Sequence, residues 1–457
     1  MIIPSLFENK TVAVLGLGRS GKSTAKALLR AGAHVLAWDD QEEARKAAQT
    51  EGLSLTDLNT VEWATVDSLI LSPGIPHHYP APHPLVARAQ LAGVRPISDI
   101  ELLCLSQPKA RYVGITGTNG KSTTTTLIGH ILKENGAHVE VGGNLGIPVM
   151  ELNPLEEDGI YVLELSSYQL ETSPSFHAEV SILLNITPDH LERHGGMEGY
   201  IAAKKLIYKN STSTDTFVIS VDDPHCLSIY EALRVSKKIN LLPISISKIL
   251  SEGLYVKDGY LYEKGESVLD LRQFDRLRGT HNWQNIAAAY GTLRSLGISA
   301  EMIRNGIASF PGLAHRQQIV AQYNNLTFVN DSKATNAEAV AKALSCYQNS
   351  SLYCLLGGRP KEGGIASLKS FFPSIKHAFL YGEAASTFAL TLEGKVPYTL
   401  CNTLEEAVNA ATKRALHDQH KEAIVLLSPA CASFDQFRDF EARGEAFCRY
   451  VKDVVKV

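Results

Sequence analysis

Long apolar runs are missing from this 457-residue sequence. The longest stretches, such as 423–427, fall far short of the roughly 20 residues that a bilayer-spanning helix needs, so no membrane partner is expected. A surplus of one charge is missing as well. The chain carries 44 Lys and Arg against 48 Asp and Glu, a net charge of −4, and no run of like charge makes a tail. That argues against nucleic acid as a partner. Cysteine is sparse and unpatterned: seven residues with no C-x-x-C pair. This excludes a disulfide framework or a zinc ribbon and leaves reduced thiols, best read as small buried apolar residues. The opening Met1-Ile2-Ile3-Pro4 has neither the basic nor the apolar region of a signal peptide, so the expected compartment is the cytoplasm. No period of about 20–50 residues recurs, which excludes a solenoid.

What remains is an ordinary globular composition, 44% hydrophobic and 20% charged, in a chain too long for one core. Apolar runs at 11–15, 34–38 and 68–71 alternate with a helical stretch at 20–31 and a Pro-rich loop at 73–84. After Gln107-Pro108 the alternation resumes, with strands at 112–115, 160–163 and 180–184 and a hairpin signal at Asp258-Gly259. After Phe310-Pro311-Gly312 it resumes again, with strands at 327–329, 353–356, 378–381 and 424–427. The fold class is therefore α/β with parallel sheets and right-handed crossovers. Three domains are expected, at 1–107, 108–311 and 312–457.

Two glycine-rich loops follow strands. Residues 16–23 (GLGRSGKS) satisfy the literal P-loop pattern and also G-x-G-x-x-G, whereas 114–122 (GITGTNGKS) misses the literal pattern by one residue. A nucleoside triphosphate needs more than a backbone cradle. It needs a lysine on the terminal phosphates, a hydroxyl for Mg²⁺ and acidic groups from neighbouring strand ends. Lys121, Ser122 and Thr123 are followed in the same segment by Glu164 and by His190 beside Asp189. Lys22 and Ser23 are followed by Asp39, about 20 residues on, where a dinucleotide-type fold places an acid near a sugar. The first loop thus reads as a nucleotide-diphosphate cradle, or as a tight glycine turn with no ligand. The second reads as the ATP loop.

These residues carry a resemblance. Residues 116–123 (TGTNGKST) resemble the ATP loop of the Mur ligase and folylpolyglutamate synthetase family. Residues 164–171 (ELSSYQLE), 330–336 (NDSKATN) and 427–437 (LSPACASFDQF) are similar to its D-glutamate-adding branch. The resemblance runs in order along essentially the whole chain. It implies an N-terminal Rossmann-like domain for a UDP-sugar, a central P-loop-type mononucleotide-binding domain for ATP, and a C-terminal Rossmann-like domain for the incoming amino acid. The implied substrates are UDP-N-acetylmuramoyl-L-alanine, D-glutamate and ATP, with two Mg²⁺ ions and a monomeric protein.

Carried over residue by residue, Gly18, Arg19, Ser20, Asp39, Ser72, Pro73, Gly74 and Asn144 would meet the UDP-sugar. Gly117, Thr118, Asn119, Gly120, Lys121, Ser122 and Thr123, with Asn282, Asn285, Arg316 and Asp331, would meet ATP. Ser122 and Glu164 would hold one Mg²⁺, and His190 the second. Thr335, Lys361, Ser433 and Phe440 would receive D-glutamate; Ser433 and Phe440 rest on the resemblance alone. The sequence departs from the expected pattern in two places. Arg19 and Lys22 make the first loop more basic than a diphosphate cradle requires, and Arg359-Pro360 precedes Lys361.

One lysine stands out on periodicity. If 197–208 is a helix, Met197, Tyr200, Ile201, Ile207 and Tyr208 form an apolar stripe with Lys204 at its centre and Lys205 at its edge. From the helix alone, a snorkelling lysine is the favoured reading. Burial would instead lower its pKa and free a neutral amine that can add CO₂. The resemblance implies a carbamylated lysine here, beside the second metal. The implied reaction is ATP cleavage to ADP and phosphate through an acyl phosphate, shielded from water by closure of the C-terminal domain. The base that deprotonates the amine is not identified; His190 is a candidate. A nicotinamide-dependent oxidoreductase built on 16–21 and Asp39 is a rival that leaves Lys121 without a role. A non-catalytic nucleotide-binding module is another. A ligase of the same family with a different amino acid or a folate acceptor is a third, and residues 164–171 argue against it.

Overall fold

The computed structural model describes residues 1–236, 238–347, 350–361 and 363–455. Three sheets organise them. Thr11–Leu15 (β1), His34–Trp38 (β2), Ser68–Leu71 (β3) and Pro96–Ile97 (β4) form a parallel sheet in the order β2-β1-β3-β4. The chain leaves β1 for one neighbour and later returns to the other. That reversal opens a crevice at the carboxyl ends of β1 and β3, the position where open α/β sheets bind ligands.

Arg111–Thr116 (β5), Val139–Gly143 (β6), Ile160–Glu164 (β7), Val180–Leu183 (β8), Thr216–Ser220 (β9), Asn240–Ser245 (β10), Leu254–Lys257 (β11), Tyr260–Glu263 (β12) and Glu266–Asp270 (β13) form the second sheet. Its order is β13-β12-β11-β10-β9-β8-β5-β7-β6. Strand β7 is buried at every residue, as a strand covered on both faces must be. Each large apolar side chain buried in this way contributes about 1.5–3 kcal/mol. The hairpin signal is realised: β11 and β12 pair antiparallel, Lys257 opposite Tyr260, around Asp258 and Gly259 at φ 53° and 81°. Both turn residues lie in the left-handed region that a two-residue hairpin demands.

Gln318–Tyr323 (β14), Leu326–Asn330 (β15), Ser351–Gly357 (β16), Ile375–Tyr381 (β17), Tyr398–Leu400 (β18) and Ala423–Leu427 (β19) form the third sheet, ordered β14-β15-β19-β16-β17-β18. Only β14 runs antiparallel to its neighbour. Asp331, Gly357 and Ser428 sit at or just beyond the carboxyl ends of its strands.

Three expected domains correspond to three sheets but to two compact units. One comprises Met1–Gln273 and Thr280–Phe310, the other Phe274–Gly279 and Pro311–Val457. The first two sheets share a unit because they share a core, in which Val12, Leu28 and Ile70 belong to the same buried cluster as Leu163, Tyr200 and Phe217. Backbone bonds stitch them further: Ile2 donates to Met150 (2.9 Å) and Ser98 to Thr172 (2.9 Å). Among the described residues no helix is long and apolar enough to cross a membrane.

Candidate active site

The first glycine loop is held by its own neighbours. Gly16 N–H donates to the Trp38 carbonyl (2.8 Å) and Leu17 N–H to Asp39 Oδ2 (2.6 Å). The second Asp39 oxygen accepts from Gln41 N–H (2.8 Å), so this carboxylate pins the loop as well as facing it. Ser72 Oγ donates to the Gly16 carbonyl (2.9 Å), which joins the Ser72-Pro73-Gly74 turn to the loop across the crevice. Gly18 caps the helix Arg19–Arg30 without a side-chain hydrogen bond, leaving its first turn open to an anion. Ser20 faces the buried Asp99, whose carboxyl is pushed up by burial. Lys22 does not point into the loop. Its ammonium, with that of Lys26, binds Glu51, whose carboxyl they hold down at about 2. The literal P-loop pattern therefore places its lysine on a carboxylate of the same domain.

The second loop behaves differently. Lys121 folds back and donates to the carbonyls of Gly117 (2.8 Å) and Thr118 (3.0 Å), closing the loop around its own cation. Gly120 caps the helix Lys121–Glu134 at φ 87°, and a Cβ there would lie 2.2 Å from Asn285 Oδ1. Glycine is thus required both by conformation and by the approach of the neighbouring helix. Asn185, just past β8, clamps the loop from the other side. It accepts from Asn119 N–H (2.8 Å) and donates to the Asn119 carbonyl (3.2 Å) and to Gln284 Oε1 (2.9 Å). Asn285 bonds Thr124 (3.3 Å) and Asn282 (3.0 Å), and this brings the expected Asn282-Asn285 pair to the base of the loop helix. Ser122 is half-buried and Thr123 buried in the first helical turn.

Lys204 lies at the centre of the stripe and is buried there, which corrects the snorkelling reading favoured from the helix alone. It is 2% exposed on the helix Met197–Lys205, while Lys205 is exposed. Its Nζ donates to the same Gly117 carbonyl (3.0 Å) and to Thr116 Oγ1 (3.4 Å) and sits 4.7 Å from the Tyr200 ring centroid. Burial, then the Lys121 charge, lowers its pKa to about 7. Lys121 and an open helix N-terminus thus serve one loop, an arrangement that attracts phosphate, with the Lys204 amine beside them. Glu164, the last residue of β7, is 3% exposed. Its Oε1 accepts from Asn144 Nδ2 (3.1 Å), and its Oε2 is buried without a hydrogen-bond partner. A bare buried carboxylate oxygen fits a cation. Asn144 was expected at the UDP-sugar; its side chain is engaged with this carboxylate. His190 is exposed, 3.6 Å from Asp189, with its ring 5.5 Å from that of Tyr168. Among the described residues no group of three or more His, Cys, Asp or Glu is arranged to hold a metal. Mg²⁺ typically takes few protein ligands and completes its shell with water and substrate phosphate, so sparse donors suit it.

In the second unit, Asp331 is buried. Ser428 Oγ (2.8 Å) and Gln317 N–H (3.2 Å) donate to it, and burial lifts its carboxyl to about 7. Arg316 acts on Asp331 through its charge. Ser433 is buried, Thr335 and Phe440 are half-buried and Lys361 is exposed. Arg359 is engaged with Glu383 (3.2 Å). The organiser here is Arg443, fully buried on the helix Phe440–Val455. It donates to Ser332 Oγ (2.9 Å), the Ser332 carbonyl (2.8 Å) and the Cys431 carbonyl (3.1 Å), and Ser332 Oγ donates to the Phe440 carbonyl (2.8 Å). It thereby ties the 331–335 turn to the 428–433 loop. Sequence reasoning missed Arg443, Asn185 and Gln284. A lone arginine in a helix and isolated amides carry no pattern; their roles follow only from what folds against them.

Comparison with known proteins agrees along the chain. The Mur ligase MurD-like N-terminal domain matches residues 10–98, the Mur ligase middle domain 115–293 and the Mur ligase glutamate ligase domain 315–431. A protein of Paramagnetospirillum magneticum called UDP-N-acetylmuramoylalanine--D-glutamate ligase is 49% identical over 99% of this chain and 98% of its own. Proteins of the same name from Phenylobacterium zucineum and Caulobacter vibrioides are 50% and 48% identical, covering 98% and 96% of this chain and 97% and 95% of their own. Among solved structures, UDP-N-acetylmuramate-alanine ligase MurC of Thermotoga maritima superposes with a TM-score of 0.60 at 18% identity, over 97% of this chain and 99% of its own. MurF of Acinetobacter baumannii gives 0.58 at 18% identity, over 88% and 93%. At that identity these two speak for the fold alone.

Proposed function

The chain belongs to the Mur ligase family, and on that premise we propose that it joins D-glutamate to UDP-N-acetylmuramoyl-L-alanine at the expense of ATP. The observation that carries the reading is the contrast between the two lysines. Lys121 closes its loop on the Gly117 carbonyl that Lys204 also binds, whereas Lys22 is engaged by Glu51. This favours the triphosphate in the central sheet and leaves the crevice of the first sheet to a nucleotide diphosphate. It also disfavours a nicotinamide oxidoreductase, which has no use for two lysines on a second loop.

The L-alanyl carboxylate attacks the γ-phosphate, forming a C–O–P linkage as the bond to ADP breaks. Both reactants are anionic, so the barrier is largely electrostatic. Lys121 and the N–H groups of residues 117–123 hold the phosphates and offset that repulsion. Ser122 and Glu164 would hold one Mg²⁺, and His190 with a carbamate on Lys204 a second; when bound, the metal would supply neutralising charge to the phosphates. The carbamate forms when the neutral Lys204 amine adds CO₂ and releases a proton. The D-glutamate amine, placed by Thr335, Lys361, Ser433 and Phe440, then attacks the acyl carbon, and phosphate leaves. Asn282, Asn285, Arg316 and Asp331 serve the nucleotide, and Gly18, Arg19, Ser20, Asp39, Ser72, Pro73, Gly74 and Asn144 the UDP-sugar. The protein is read as a cytoplasmic monomer in peptidoglycan precursor synthesis, with domains at 1–107, 108–311 and 312–457.

ADP release tests this. It should require Mg²⁺, the UDP-sugar and D-glutamate together, and L-glutamate should fail because a misplaced amine alone costs about 100-fold. With ¹⁸O in the L-alanyl carboxylate, one label should appear in the released phosphate. Unlabelled phosphate would mean that no acyl phosphate forms.

A further inference from the structure

Between the first sheet and the second lies a buried polar cluster that the reaction above does not use. His77 follows the Ser72-Pro73-Gly74 turn. Glu171 ends the helix Ser167–Glu171, and His194 lies four residues past His190. The His77 and His194 side chains are 7% and 0% exposed, and Glu171 is 21%. His77 Nε2 and His194 Nδ1 are both buried without a hydrogen-bond partner, and both face one atom, Glu171 Oε2, at 3.7 and 3.5 Å. Ser167 Oγ lies 2.9 Å from His194 Nε2. In the tautomer in which the serine hydroxyl donates to Nε2, the ring hydrogen is on Nδ1 and faces the carboxylate. The Tyr168 ring stacks on His194 (5.2 Å, 8°), and the Arg193 guanidinium lies 4.7 Å over Tyr168. Arg193 Nη1 also crosses to the first sheet's turn, donating to the Gly74 carbonyl (2.9 Å). His78 packs against His77, and Tyr200 against His194.

We propose that Glu171, bracketed by His77 and His194 and seconded by Arg193, is a clasp that registers the UDP-sugar turn against the loop that carries His190 and leads into the helix of Lys204. Replacing ionic groups by apolar side chains of similar volume is often neutral for stability. What a half-buried carboxylate flanked by two buried imidazoles adds is one permitted register. That register matters because one side of the clasp positions the sugar nucleotide and the other the phosphate, and in-line attack tolerates little misplacement. The consequence for catalysis rests on the ligase reading; the clasp itself does not. Glu171 touches no reacting atom and is a positioning residue.

The experiment pairs hydrogen exchange with turnover in the full chain. Glu171→Gln, and independently His77→Asn, should speed amide exchange at least about tenfold in residues 74–80 and 190–196 together, leaving the cores of the strands unchanged. The double variant should loosen them no further than either single one. In the ligase assay kcat should fall at least about tenfold while KM for ATP stays within about twofold, and Arg193→Lys should retain most of the rate. Loosening of one segment only, exchange rising throughout the chain, or unchanged kcat would overturn the clasp. A wild-type chain that does not turn over, with both segments still loosening together, would sink the assigned reaction and support the clasp.

Discussion

Lys204 offers the sharpest test of the site. Its ammonium is buried, and the Lys121 charge adds to the cost of burial, so its pKa falls from 10.5 to about 7. At pH 7 roughly half of the amine is neutral, against about 3 in 10,000 for an unperturbed lysine. That is an increase of about 10³ in the form that captures CO₂. The sign for stability follows. The folded chain releases this proton above about pH 7, while the unfolded chain keeps it to about 10. Burial therefore costs most at and below pH 7, at most roughly 4–5 kcal/mol, and the cost fades as pH rises through that window. An apolar replacement, Lys204→Met, should raise the midpoint of urea unfolding at pH 7, with the gain shrinking towards pH 10. The same variant should lose turnover by about 10²–10³-fold, the loss expected when one electrostatic group is removed. With ¹³C-bicarbonate, the wild-type chain should show a carbamate carbon resonance that Lys204→Met lacks. Lys204→Ala should regain part of its rate with formate or acetate. Lys204→Arg should not, since a guanidinium fills the space and forms no carbamate. Full activity in any of these variants, or a resonance that persists without Lys204, would refute the reasoning.

Lys121→Ala should abolish ATP turnover, and Lys22→Ala should leave ATP binding intact because its ammonium serves Glu51; the reverse pattern in a nucleotide titration would invert the two loops. Gly120→Ala should cost about 1–3 kcal/mol and lose nucleotide binding, since φ 87° is strained for alanine and its Cβ would meet Asn285 Oδ1 at 2.2 Å; an alanine variant with wild-type ATP affinity would contradict the reading of that contact. Asp331 is lifted from 3.8 to about 7, so the folded chain holds its proton where the unfolded one has lost it, and its contribution to stability falls as pH rises from about 4 to 7. Asp331→Asn should therefore be less pH-sensitive than wild type over that window, by at most about 4 kcal/mol, in urea unfolding of the second unit; identical slopes would exclude a raised carboxyl there.

Much of this was legible in sequence because it is local. Every strand expected in the first segment appears at its expected residues, since an apolar run bounded by Gly, Asp or Pro needs no partner to be recognised. Lys204 could be singled out because a helix repeats every 3.6 residues, so a charge in the apolar stripe is visible before anything packs on it. The placement of residues around the second loop was legible for the same reason: Lys121 and Ser122 come after β5 and Glu164 ends β7, at strand ends the apolar pattern already marks.

Tertiary structure decided everything that depends on who arrives from far along the chain. The literal P-loop pattern fits residues 16–23 better than 114–122. Nothing within eight residues reveals that Glu51, from beyond the second strand, neutralises Lys22 while Lys121 turns back on its own loop. Asn144 reads as a loop amide until β6 and β7 pair and set it on the Glu164 carboxylate. Arg443 reads as one more helix arginine until Ser332 and Cys431 close over it. Composition and periodicity report how each residue relates to its own strand or helix. That Lys22 meets a carboxylate depends on a contact 29 residues away along the chain, and only the folded packing supplies it.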